Sequence, residues 1–159
     1  MFNIRMELIL NNGIEIKTIC FDRDLLEVLF SCSNGYFSGQ AKLYLNHDDL
    51  SKMADALSGF SSHASDGRDF ELGAFDPPGA NGGVWMHFYC RDSTGHPAVE
   101  VRLRGDDCRV MGEVESVALR IPIEAAAVDS FIAEIRRMKR FEVARAFLKM
   151  ESDLRESGG

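Results

Sequence analysis

Two Asn-Gly pairs, Asn12-Gly13 and Asn34-Gly35, each lie between runs in which apolar and polar residues alternate, and no other feature narrows the possible folds as far. Asn-Gly readily supplies the positive-φ positions of a tight hairpin turn, so each pair predicts two antiparallel strands joined directly. "FNIRMELIL" and "IEIKTICFD" make the first predicted hairpin. "LLEVLFSCSNGYFSGQAKLYLN" makes the second, with residues 25–30 also readable as a short helix. Asn46 then reads as the N-cap of a helix over 47–58. Asp48 and Asp49 suit its positive end, Leu50, Met53, Ala54 and Leu57 form one apolar stripe, and Gly59 stops it.

Residues 61–69, "SSHASDGRD", are small and polar, as befits a connection. Beyond them "FELGAF", "VWMHFYC", "AVEVRLR" and "SVALRIPI" are strand candidates. "EAAAVDSFIAEIRRM" is a helix with Val128, Phe131, Ile132 and Ile135 on one side. Sliding the first half by 78 positions lays Leu43 on Ile121, Leu45 on Ile123, Leu50 on Val128, Met53 on Phe131, Ala54 on Ile132 and Leu57 on Ile135. The expected fold is therefore α+β in a single domain, with antiparallel sheet built from two ββββα halves, 1–60 and 69–139. The pattern permits one eight-stranded sheet or two packed ones. The helices at 47–58 and 124–139 pack on one side, and an extra helix over 141–156, "RFEVARAFLKMESDLRE", covers an edge or face.

The 159 residues, 45% of them apolar, suffice for such a core. The net charge of −7 sits in residues 1–125, where 11 basic groups face 19 acidic ones, while residues 126–159 carry 7 against 6. That field disfavours nucleic acid and anionic membrane and speeds encounter with a basic protein partner. "MFNIRMELIL" breaks its apolar residues with Arg5 and Glu7, unlike a signal peptide, and no window is long and apolar enough to span a bilayer. A cytoplasmic location is the expectation. Cys20, Cys32, Cys90 and Cys108 form no CxxC, so reduced thiols are expected rather than a zinc or redox centre.

"FDPPGANGGVWMHFYC", residues 75–90, concentrates turn formers and aromatics. Its glycines precede a strand and match neither GxxxxGK[ST] nor GxGxxG, so the segment reads as a loop joining two strands and not as a phosphate cradle. Alternation after the loop sends Val84, Met86, Phe88 and Cys90 inward and Trp85, His87, Tyr89 and Arg91 outward. The next strand sends Glu100, Arg102 and Arg104 outward. Those outward residues are the candidate partner-binding face, because Trp, Tyr and Arg dominate binding hot spots; the competing reading is a solvated face of cross-strand ion pairs. Asp106, Asp107, Glu113 and Glu115 form a candidate acidic patch for a basic partner.

No catalytic, cofactor or metal motif is legible. Asp22-Arg23-Asp24 and His47-Asp48-Asp49 lack metal-loop spacing, no Ser lies in GxSxG, and Cys90 and His87 point to opposite faces of one strand. "RRMKR", 136–140, complements a helix C-terminus. The stretch "FELGAFDPPGANGGVWMHFYCRDSTGHPAVEVRLRGDD" followed by "SVALRIPIEAAAVDSFIAEIRRM", about residues 69–138, resembles small, acidic, uncharacterised bacterial proteins, some of them immunity proteins encoded beside secreted polymorphic toxins. The resemblance implies a protein that binds and blocks a cognate toxin. It carries no binding residue across. A non-catalytic toxin-binding protein is thus the first expectation. A small-ligand module using a pocket between sheet and helices is the second. An enzyme built on His87, Tyr89, Glu100 and Arg102 is the third.

Overall fold

The computed structural model describes residues 11–73, 82–105 and 114–152. The elements run β1 (Gly13–Phe21), β2 (Leu26–Ser33), β3 (Ser38–Leu45), α1 (Asp49–Leu57), β4 (Arg68–Gly73), β5 (Gly83–Cys90), β6 (Pro97–Arg104), β7 (Ser116–Pro122), α2 (Ala125–Lys139) and β8 (Arg145–Lys149). They form an α+β fold with two four-stranded antiparallel sheets, ordered β3-β2-β1-β8 and β4-β5-β6-β7. Residues 25–30, open between helix and strand on sequence, lie mostly in β2, where Leu26, Val28, Phe30 and Cys32 alternate inward. β3 lies against all four strands of the second sheet, and α1 lies against α2. One apolar cluster joins both sheets and both helices, with no buried polar or charged residue among those described.

Two expectations are corrected. The segment expected as a helix over 141–156 contains β8. Phe141 takes a left-handed φ of 58°, its N–H caps Met138 O at 3.0 Å, and the chain reverses out of α2. Ala144, Phe147 and Leu148 follow helical spacing while Ala146, Leu148 and Met150 alternate, and the free edge of β1 decides between the periods. Pairing Ile16 with Ala146 and Ile14 with Leu148 gives both backbones a ladder and both side chains the core. The strand expected over 2–10, before Asn12-Gly13, lies outside the described residues, and Gly13–Lys17 of β1 pairs with β8. A smaller correction applies to α1. The side chain of Asn46 does not cap it; the Asp49 carboxylate instead accepts the Asn46 N–H at 2.8 Å.

The strand registers extend the internal correspondence beyond the strand-to-helix joint. Ile14 faces Cys32 as Val84 faces Leu103, and Ile16 faces Phe30 as Met86 faces Val101. Val28 faces Leu43 as Val99 faces Ile121. The fourth strands agree too, since Leu148 lies beside Ile14 as Leu72 lies beside Val84. The repeating unit is therefore βββαβ, β1 to β4 and then β5 to β8, rather than ββββα. Each unit sends its last strand into the other unit's sheet, so neither sheet is complete without both.

The helices are tied to each other and to the sheet by charge. Arg136 meets Asp55 at 3.2 Å and Lys139 meets Asp48 at 2.9 Å, both between α2 and α1, while Arg137 and Arg140 hold Glu142. Arg68 donates to the carbonyls of Ala56 and Ser58 at 2.9 and 2.8 Å, satisfying the open end of α1, and grips Asp66 at 2.9 Å.

Candidate functional site

The outward face of the second sheet is built by period-two alternation, because Val84, Met86 and Phe88 are pulled into the core and leave Trp85, His87 and Tyr89 on the other side. The three outward rings stack along β5. Trp85 and His87 are 5.9 Å apart at 7°, and His87 and Tyr89 are 5.4 Å apart at 10°. Across the strand Arg102 lies over the Trp85 ring at 4.8 Å and donates to Glu100 at 3.3 Å. A guanidinium on an indole face retains its attraction in water at about 0.5–1 kcal/mol, so the group is pre-ordered without being buried.

Strand register then adds partners that the sequence reading missed. Asp69 on β4, His87 on β5, Glu100 on β6 and Arg120 on β7 form one row across all four strands, and Glu71, Trp85, Arg102 and Ala118 form the next. Within the first row the His87 Nδ1 and Asp69 Oδ1 are 2.5 Å apart. Asp69 and Glu71 belong to "RDFELG", whose alternation was visible; which strand it would flank was not. The face is amphoteric, with carboxylates at the β4 edge and arginines toward β7.

Five of the seven face candidates, Trp85, His87, Tyr89, Glu100 and Arg102, come together here. Arg91 lies past the end of β5 and pairs with Glu151 at 3.0 Å, and half-buried Arg104 lies at the far end of β6, opposite Gly83 and Ser116. Of the acidic candidates, Glu115 is exposed, while Asp106, Asp107 and Glu113 lie outside the described residues, as does most of the 75–90 loop. The groups considered for catalysis share the face, yet their rings are occupied in stacking and Arg102 is committed to Trp85 and Glu100.

A concave surface of about 780 Å³ lies on the outer side of the first sheet between Glu15, Leu29, Arg145 and Phe147, beside the β2–β3 turn. Tyr36 and Phe37 in that turn are 91% and 64% exposed. Their signal in the sequence was two aromatics directly after a hairpin Asn-Gly, where apolar burial is not available. Among the described residues no group of three or more His, Cys, Asp or Glu is placed to hold a metal ion, and no helix is long and apolar enough to cross a membrane.

Comparison with known families, curated proteins and solved structures returned no match. The face therefore stands on its own geometry.

Proposed function

We propose that this chain is a non-catalytic cytoplasmic binding protein, in its most concrete form an immunity protein that neutralises a cognate toxin by direct binding and occlusion. The observation that carries the reading is the Trp85–His87–Tyr89 stack capped by Arg102. These are large, rigid, half-exposed side chains of the types that anchor protein interfaces, held on the rigid middle of a sheet rather than on a loop. The resemblance of residues 69–138 to toxin-immunity proteins and the net charge of −7 support a basic partner, whose approach such a field accelerates.

The test uses the full chain, captured from lysate of its source cells at low and high salt, beside Trp85→Ala and Arg102→Ala. The expected result is a stoichiometric basic partner whose toxicity the protein relieves on co-expression. The Trp85→Ala substitution weakens its binding by roughly thirtyfold or more, the size of an anchor loss of about 2 kcal/mol. A partner that binds both variants as tightly as the wild type, or one whose toxicity is unrelieved, overturns the reading.

A further inference from the structure

The two βββαβ units place different side chains at equivalent points. Phe88 on β5 lies opposite Val99, and its counterpart by register, opposite Val28 on β1, is Thr18. Phe70 lies beside Met86, and the counterpart beside Ile16 is Ala146. Phe60 follows α1 where Met138 closes α2, continuing the correspondence that lays Leu57 on Ile135. Against the second sheet the three phenylalanines, Phe60 and Phe70 from the first unit and Phe88 from the second, fill the space between sheet and helix. Phe60 and Phe70 meet Phe88 edge-on at 5.8 Å and 5.7 Å. Against the first sheet all three positions hold smaller or slimmer groups, Thr18 from the first unit and Met138 and Ala146 from the second. What remains is a pocket of about 160 Å³, bounded by Thr18, Leu26, Leu50, Met138 and Phe141 with His47 and Lys139 at its polar side.

We propose that this pocket is a binding site for one uncharged aromatic ring of a small-molecule ligand. Size sets the first limit, since the volume matches that of apolar protein cavities of about 150 Å³ that take up benzene. The other unit sets the second, because the group it places at the Thr18 position is a phenyl ring. Charge sets the third. Lys139 Nζ is already held by Asp48 Oδ1 at 2.9 Å and His47 O at 3.0 Å, and His47 Nε2 by Asp22 O at 2.6 Å, so the polar side has its partners and calls for no ionised ligand. At the mouth Phe141 is 63% exposed and stands 4.8 Å from Phe21, itself 55% exposed. A ring in the pocket would cover part of the Phe141 surface that Phe21 leaves exposed. The site is independent of the face on the second sheet.

The experiment titrates methyl-labelled full-length protein with benzyl alcohol and with naphthalenemethanol, following the Met138, Leu26 and Leu50 methyl resonances. Saturable shifts at those methyls with the one-ring probe, and none with the two-ring probe at equal concentration, are the expected result. Thr18→Phe, which copies the other unit, abolishes the shifts and raises Tm. Met138→Phe is the second filling variant should the first not fold. Absence of saturable shifts up to the solubility limit, an equal response to the two-ring probe, or unchanged shifts in a folded filling variant overturns the proposal.

Discussion

The first sheet, β3-β2-β1-β8, and the second, β4-β5-β6-β7, share registers and differ in how the space between sheet and helix is filled. In the second, Phe60, Phe70 and Phe88 fill that space, and Arg68 closes it by lying 5.7 Å from the Phe60 ring while capping α1. In the first, Thr18, Ala146 and Met138 leave room, and Ala144 stands where Arg68 does, opposite Thr18 as Arg68 is opposite Phe88. The difference teaches that a repeated backbone plan divides labour. The second sheet covers a filled core beneath the aromatic face on its outer side, and the first keeps exposed aromatics and a pocket.

The largest effect is expected from giving the second unit the first unit's residue. Phe88 is fully buried, so Phe88→Thr removes a ring and strands a hydroxyl. It should cost roughly 3–5 kcal/mol in urea unfolding, whereas Thr18→Ala should cost under about 1.5 kcal/mol. Equal costs would remove the contrast between the two interiors. Gly13→Ala comes next, because a Cβ there would lie 2.0 Å from Leu148 O at a φ of +138°. It should cost more than about 1 kcal/mol and expose the amides of β8 to hydrogen exchange before those of β4.

Arg68→Ala should cost roughly 1–3 kcal/mol by orphaning the Ala56 and Ser58 carbonyls and leaving the Asp66 carboxylate with Ser62 alone. The same cluster sets an acid limit. Hydrogen bonds from Arg68 and from the Ser62 N–H hold the Asp66 carboxyl down at about 2 against an ordinary 3.8. The native state therefore binds fewer protons than the unfolded chain between those values. Its contribution is complete above about pH 4 and disappears as pH falls through about 2. Asp66→Asn should flatten the stability profile in that window, and a profile unchanged by the substitution would show the Arg68 anchor to be inert.

The smallest effect separates two thiols of the first unit. Burial pushes Cys32 up to about 11, while Cys20 is exposed. At pH 8 a thiol reagent should modify Cys20 first and Cys32 only on unfolding, with no change in Tm after the first event.

Strand identity was legible wherever alternation was long, as in "VWMHFYC" and "AVEVRLR", because the two faces of such a strand must meet different surroundings. The helices over 47–58 and 124–139 were equally plain from their stripes. The face residues Trp85, His87, Tyr89, Glu100 and Arg102 followed from the same alternation. Asp69, Glu71 and Arg120 did not, because rows across a sheet depend on which strands neighbour one another.

What the chain's own sequence determined is local: periods, turns, and which side of each strand avoids water. Tertiary structure alone decided that residues 145–149 are a strand, that this strand takes the edge of β1, and that each unit's last strand completes the other's sheet. The reason is that "ARAFLKM" satisfies helical spacing through Ala144, Phe147 and Leu148 and strand spacing through Ala146, Leu148 and Met150, and only the unpaired backbone edge of β1, more than a hundred residues away, makes the strand the lower free-energy choice.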